Sequence, residues 1–252
     1  MKTILVIPAR YNSTRLPGKP LLPIAGKPMI QRVYECARLA GFDNIIVATD
    51  DERISEVCES FAADVCMTSS SHETGSDRLA EVAALRHFDD EDIVVNLQGD
   101  EPLTPAVNLH QVAENLANNS EAMIATLSTP ITSAEEYADK NIVKVVTDNA
   151  GMAMYFSRAS IPYQRDPELS ISEFASRHIG IYAYRAKYLR NFVKMESCQL
   201  EQLEKLEQLR AMWYGTRIHV AEAAEVPGGG VDTAEDLAAV EKVFQKREAA
   251  FI

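Results

Sequence analysis

No apolar stretch in this 252-residue chain reaches the roughly 18–20 residues that a membrane-spanning helix needs. The apolar run near the start, in MKTILVIPAR, is cut short by Pro8. Arg10 and Arg15 follow where a signal peptide would carry a longer apolar core and a small-residue cleavage site. The run reads as a first buried strand, and a cytoplasmic protein without a membrane partner is the expectation. Cysteine is scarce too. Cys36, Cys58, Cys66 and Cys198 form no CxxC pair and no Cys/His cluster with zinc spacing, so they read as reduced, mostly buried thiols. Positive charge is in deficit: the net charge of −12 argues against a nucleic-acid-binding surface. Internal repeats, low-complexity tracts and long flexible linkers are absent, so residues 1–252 read as a single domain. With 46% hydrophobic and 25% charged residues, the chain is neither disordered nor fibrous.

Against that acidic background the first 34 residues contain no carboxylate, while Lys2, Arg10, Arg15, Lys19, Lys27 and Arg32 fall within them. A region kept free of acids suits an anionic ligand. Hydrophobic periodicity predicts strands at Ile4–Ile7, Asn44–Thr49, Asp64–Met67 and Ile93–Leu97. Helices are predicted over Met29–Ala40, 52–62, 76–86 and 105–118, the first stopped by Gly41. Arg10–Ile24, rich in Pro, Gly, Ser and Thr, is too irregular for a regular element. Strands and helices in alternation are the signature of an α/β fold, a Rossmann-like, mostly parallel sheet flanked by helices. Ligands of such sheets bind beyond the carboxyl ends of the strands, which draws attention to the polar loops after the first and fourth. From about 122 to 190 the pattern turns strand-rich (122–129, 142–147, 152–156, 178–184), as in an insertion or second subdomain. A helix over about 200–213, carrying Leu203, Leu206, Leu209 and Met212, a strand at 217–221 and an amphipathic terminal helix complete the chain.

The loop Pro8–Pro20 (PARYNSTRLPGKP) places three cations among Ser, Thr and Gly between a strand and a helix. Small residues let backbone N–H groups approach phosphate oxygens, arginine adds forked hydrogen bonds and lysine a mobile charge. It is not a P-loop, because Gly18-Lys19 is followed by Pro20, and no GxGxxG fingerprint occurs. Asp100 follows the fourth strand in LQGDEP, and Asp232 lies in the glycine-flanked turn GGGVDT. Two carboxylates from separated loops can hold one Mg²⁺ whose sphere is completed by waters and phosphate oxygens. An Asp after Gly is equally a turn or cap residue, so spacing alone leaves both readings open.

IPARYNSTRLPGKPLLPIAGKPM resembles the signature of the sugar nucleotidyltransferases, and more narrowly that of the family of 3-deoxy-manno-octulosonate cytidylyltransferases (CMP-Kdo synthetases). Ordered blocks extend the resemblance along nearly the whole chain: ATDDERI (48–54), HETGSDRLAEV (72–82), VNLQGDEP (95–102), VKVV (143–146), YFSRASIP (155–162), RHIGIYAYR (177–185), LEKLEQLR (203–210) and GVDTAEDL (230–237). One departure is HETGSDR, where HxSGTDR is the usual form; Thr74 and Ser76 keep a hydroxyl at each altered position.

The resemblance implies the nucleotide-diphospho-sugar transferase fold, a homodimer formed through the strand-rich segment, and Mg²⁺ on Asp100 and Asp232. It implies transfer of CMP from CTP to the anomeric 2-hydroxyl of an acidic eight-carbon sugar, with release of pyrophosphate, for lipopolysaccharide biosynthesis. Arg10, Ser13, Arg15 and Lys19 would meet the phosphates, with Arg15 and Lys19 acting in catalysis beside the two aspartates. Pro8, Ala9, Gly75 and Arg78 would surround the cytosine and ribose, and Gln98, Arg158, His178, Tyr182 and Glu207 the sugar acid. Taken residue by residue, His178 and Tyr182 read equally as strand core, Gly75 as a helix start, Arg78 as a surface residue and Glu207 as part of a solvated helix face. No nucleophile–base pair is evident, so one in-line displacement without a covalent enzyme intermediate is expected. The alternatives are a cytidylyltransferase for the 8-amino sugar, for neuraminate or for a polyol phosphate, and a non-catalytic nucleotide-binding protein on the same scaffold.

Overall fold

The first strand, β1 (Thr3–Ala9), has Leu5, Val6 and Ile7 entirely excluded from solvent, the mark of a strand covered on both faces. This computed structural model describes residues 1–12, 16–72, 74–165 and 168–249. After β1 come a short ribbon, β2 (Pro23–Ile24) and β3 (Lys27–Pro28), then α1 (Met29–Leu39), β4 (Ile45–Thr49), α2 (Glu52–Ser60), β5 (Asp64–Met67), α3 (Gly75–Leu85), β6 (Ile93–Asn96) and α4 (Ala106–Asn118). The expected alternation of strand and helix holds throughout this half. The ribbon is an addition to the segment read as irregular: Ala25 and Gly26 both take positive φ (46° and 78°), as a two-residue hairpin turn needs. The predicted stop of α1 is a Schellman ending, with Gly41 at φ 79°, Gly41 N–H on Arg38 O at 2.9 Å and Phe42 N–H on Ala37 O at 3.4 Å.

The second half adds β7 (Ile124–Pro130), α5 (Ala134–Ala138), β8 (Lys144–Thr147), β9 (Ala153–Ser157), β10 (Ser176–Arg185), α6 (Ala186–Phe192), α7 (Gln199–Glu204), α8 (Gln208–Trp213), β11 (Ile218–Glu222) and α9 (Ala234–Ala249). The main sheet runs β11-β7-β10-β6-β1-β4-β5. All neighbours are parallel except β10, which is antiparallel to both β6 and β7. The strand-rich stretch thus contributes β7 and β10 to the central sheet. The β8–β9 hairpin joins the start of β10, through Ser176 opposite Val145 and Arg177 opposite Lys144, and its turn reaches β11, where Val220 N–H donates to Gly151 O at 2.8 Å.

Alternation along β1 divides the core. Leu5, Ile7 and Ala9 pack with Ile30 and Val33 of α1, Ile54 of α2 and Leu109 and Val112 of α4. Ile4 and Val6 face the other way, toward Leu79 and Val82 of α3, Leu189 and Phe192 of α6 and Leu209 of α8. Each such aliphatic side chain contributes about 1.5–3 kcal/mol on burial, so the carboxyl edge of the sheet is a firm platform for its loops. One expectation fails. The helix predicted over 200–213 is two short helices, because Lys205 takes a left-handed conformation (φ 54°) and ends α7. Leu206 and Leu209 are buried, but Leu203, counted in the same stripe, is 73% exposed.

Candidate active site

Three loops meet beyond the carboxyl edge. Gly18, left-handed at φ 68°, donates its N–H to Tyr11 O at 3.0 Å and turns the loop back on itself. A Cβ there would lie 3.1 Å from the Tyr11 ring, whose face is covered by the Arg53 guanidinium at 3.4 Å from the centroid. The reversal aims Lys19 at the two aspartates. Its Nζ donates to Asp100 Oδ2 at 2.6 Å, to Val231 O at 2.8 Å and to Asp232 Oδ1 at 3.4 Å. Gly99 permits the approach of the Asp100 turn to β1, since a Cβ there would stand 2.8 Å from Pro8 O. Val231 N–H closes the triangle on Asp100 O at 2.9 Å.

The first turn of α3 forms the facing wall. Thr74 caps the helix: its Oγ1 accepts from Asp77 N–H at 3.2 Å and its own N–H reaches Asp77 Oδ2 at 3.2 Å. The Thr74 departure from the usual motif therefore retains the cap. Arg78, read from sequence as a surface residue, is instead buried, with its guanidinium on Thr68 Oγ1 and 3.2 Å from Asp50. Together these loops enclose a cleft of about 550 Å³. Pro8, Ala9, Arg10, Lys19, Gly75, Arg78, Gln98, Asp100 and Asp232 all line it. Ser13 and Arg15 lie outside the described residues. His72, Asn12 and Gly99 line it as well. His72 is held by Glu81 at 2.6 Å, and its place in the HETGSDR block was the available signal.

The donor set fits Mg²⁺. Two carboxylates and a carbonyl converge on one cationic group, with Lys19 Nζ marking the point. Among the described residues no group of three or more His, Cys, Asp or Glu is gathered for a metal. A pair of carboxylates suits an ion that takes one or two of them and completes its sphere with water and substrate phosphates. Beside the pair, Glu101 is pushed up to about 7, by burial first and then by Asp100 and Asp232. Nothing in its residue type distinguished it from Asp100 in the sequence.

The remaining candidates stand on the β10 side and do not line this cleft. Because β10 runs backward, Tyr182 lies opposite Asn96, and the residues before it extend past the end of β6 toward the Gln98 side. A bulge between Ile179 and Tyr182 brings His178, Tyr182 and Tyr184 into one ladder, with centroids 5.3 and 5.6 Å apart. Thr126 Oγ1 lies 2.8 Å from Ile181 O and 3.0 Å from Ile179 O, and its single proton must serve a carbonyl. Toward His178 Nε2, 3.0 Å away, the hydroxyl is therefore the acceptor, which places the ring proton on Nε2. Burial lowers the His178 pKa to about 3, so the imidazole is neutral. The Tyr182 phenol is raised, by burial and then by Glu207, and stays protonated.

Glu207, read as part of a solvated helix face, sits in the break between α7 and α8, where its Oε2 accepts from Ser76 Oγ at 2.9 Å. Burial raises its carboxyl. With Tyr182 and Ser76 it lines a separate cavity of about 70 Å³. Arg158, after β9, donates through Nε to Glu204 O at 2.7 Å and through Nη1 to Lys140 O at 3.1 Å. Its backbone carbonyl is held by Lys144, a fully buried lysine whose ammonium donates to Asp139 O (2.8 Å), Ile142 O (2.6 Å) and Arg158 O (2.8 Å).

A cationic strand-end loop facing two carboxylates across a nucleotide-sized cleft, on a mostly parallel sheet, has the make-up of a nucleotidyltransferase. Residues 4–218 match the cytidylyltransferase family model. A 3-deoxy-manno-octulosonate cytidylyltransferase of Vibrio parahaemolyticus is 54% identical over 98% of this chain and 100% of its own length. One from Thioalkalivibrio sulfidiphilus is 54% identical over 96% of this chain and 98% of its own. The solved structure of a CMP:2-keto-3-deoxy-manno-octonic acid synthetase complexed with CTP superposes with a TM-score of 0.90 at 43% identity, covering 98% of this chain and 100% of that one. A cytidylyltransferase from Leptospira borgpetersenii, at 18% identity and TM-score 0.62 over 99% of this chain and 96% of its own, shares the fold. The chain belongs to the cytidylyltransferase family, among its 3-deoxy-manno-octulosonate cytidylyltransferases.

Proposed function

We propose that the protein transfers the cytidylyl group of CTP to the anomeric 2-hydroxyl of 3-deoxy-D-manno-octulosonate, giving CMP-Kdo and pyrophosphate, as a Mg²⁺-dependent homodimer in the cytoplasm. The convergence of Lys19, Asp100 and Asp232 at the mouth of the cation-rich loop carries this reading. Paired carboxylates facing the triphosphate favour phosphoryl transfer over nucleotide binding alone. Arg10 and Lys19 neutralise the phosphates, and the Gly75 turn with the pinned Arg78 holds the nucleoside end. Asp100 and Asp232 would hold Mg²⁺, which when bound neutralises charge on the α-phosphoryl group and the leaving pyrophosphate. Gln98 lines the cleft and would orient the acid sugar there, with Arg158, His178, Tyr182 and Glu207 outside it on the β10 side. The sugar oxygen forms the new bond to the α-phosphorus as the bond to the bridging oxygen breaks, and the hydroxyl proton leaves to solvent. Alignment and charge neutralisation supply the acceleration.

The homodimer draws support from the strand-rich segment, where Met154, Tyr163 and Leu169 are exposed. No helix among the described residues is long and apolar enough to cross a membrane. The decisive assay is pyrophosphate release from CTP and Mg²⁺ with the octulosonate, its 8-amino form and neuraminate in turn. Highest kcat/KM with the octulosonate is expected. Preference for another acid would reassign the acceptor, and no release with any of the three would overturn the enzymatic reading.

A further inference from the structure

Asp232 lines the active cleft, yet the helix that follows it lies elsewhere, packed on the β2–β3 ribbon. The junction is rigid. Asp236 Oδ2 accepts from Asp232 N–H at 3.1 Å and from Thr233 N–H at 2.9 Å, while Asp236 N–H returns to Thr233 Oγ1 at 3.2 Å. The backbone of Asp232 is thereby locked to the first turn of α9, and its position follows the seating of the whole helix.

That seating depends on α1. Arg32 is only 6% exposed, and its guanidinium reaches both the ribbon and α9. Nε donates to Ile24 O at 3.0 Å, and Nη2 donates to Ala25 O at 2.6 Å and to Glu248 Oε1 at 2.7 Å. The guanidinium carbon also lies 4.7 Å from the centroid of the Phe244 ring. Leu237, Val240, Phe244 and Glu248 recur at helical spacing, so one stripe of α9 faces the ribbon. Val240 and Phe244 join Ile24, Met29 and Val231 in an apolar cluster separate from the two faces of the sheet. The same stretch of chain leads into Lys19: Met29 N–H is bonded to Leu22 O at 2.8 Å, and Leu22 N–H to Lys19 O at 3.1 Å. One buried arginine thus ties the segment that presents Lys19 to the helix that presents Asp232.

We infer that the Arg32–Phe244–Glu248 clasp is a positioning device for the reaction: by seating α9 it sets the place of Asp232, and with it the affinity of the two-carboxylate site for its divalent cation. This rests on the reading of Asp100 and Asp232 as a Mg²⁺ pair. None of the three clasp residues lines the cleft.

The test uses the full chain with Phe244→Ala, the conservative Phe244→Tyr, Glu248→Gln and, as reference, Asp232→Asn. Phe244→Ala is expected to raise the Mg²⁺ concentration for half-maximal pyrophosphate release about tenfold, while kcat at saturating Mg²⁺ stays within about twofold of wild type. Amide hydrogen exchange over 229–236, measured without metal, should quicken in the same variant, and Phe244→Tyr should restore both readouts. If Phe244→Ala does not fold, Glu248→Gln, altered at the solvent-facing end of the clasp, must shift both readouts in the same direction. Unchanged exchange over 229–236 would overturn the inference outright. Faster exchange with unchanged Mg²⁺ dependence, where Asp232→Asn does shift that dependence, would overturn the clasp and leave the metal pair standing. Unchanged Mg²⁺ dependence in Asp232→Asn as well would remove the metal reading and the inference together.

Discussion

The His178 imidazole is half-buried and neutral, and this gives the protein's stability a calculable slope. In the folded chain burial holds its pKa down to about 3, whereas an unfolded histidine titrates near 6.5. Between those values the unfolded state binds the extra proton. The contribution is therefore fully present above about pH 6.5, declines as the pH falls, and is exhausted below about 3. From pH 7.5 to 5.0 the loss assigned to this one ring is about 2 kcal/mol, a figure that hardly changes while the folded value stays below about 4. Other groups titrate over the same range, so the measurement is a difference of differences. Urea unfolding of wild type and His178→Gln, at equal protein concentration and followed by far-ultraviolet circular dichroism, would be compared at the two pH values. Glutamine retains an N–H for Thr126 and cannot take up a proton. The wild type should lose about 2 kcal/mol more than the variant. Parallel losses, within about 0.5 kcal/mol, would mean that the ring is solvated or already charged in the folded protein, and the neutral Nε2–H assignment would fall.

Four other substitutions probe the cleft and the fold around it. Asp100→Asn and Asp232→Asn should each lower kcat at saturating Mg²⁺ by at least about 100-fold in the pyrophosphate assay, and near-normal turnover would remove that residue from the mechanism. Lys144→Met deletes an ammonium shared by three carbonyls and should destabilise the fold by about 4 kcal/mol in urea titration. Gly99→Ala drives a methyl group against Pro8 O; it should cost about 1–3 kcal/mol of stability and lower kcat/KM for CTP by up to about 100-fold.

The first half of the fold was legible because burial and period agree there: Ile4–Ile7 and Ile93–Val95 are apolar on both faces, and α1 ends on a glycine that adopts the positive φ its stop requires. The direction of β10 was not legible, since an apolar strand in mid-sheet reads the same either way round and the choice is made by the connections at its ends. Residues 200–213 misled for a local reason: Leu203, Leu206 and Leu209 keep helical spacing across a residue that steps into the left-handed region. Asp100 and Asp232 were singled out because the surrounding motifs resembled a family. Their convergence on Lys19 is a tertiary fact that spacing along the chain does not contain. Lys144 passed unnoticed because a lysine between valines looks like the wet face of a strand until three carbonyls are found around it.

The reversed strand has a consequence for how this protein changes over time. Were β10 parallel to its neighbours, the chain leaving β7 would have to cross to the opposite rim of the sheet before re-entering. Because β10 runs backward, the connection from β7, with α5 and the β8–β9 hairpin, departs and returns on the rim where substrates arrive. That excursion supplies Arg158 and delivers the chain to His178, while the cationic loop, Asp100 and Asp232 belong to other stretches of the chain. One rim-side detour can thus be lengthened or reshaped while the strands and loops that frame the cleft are left as they were.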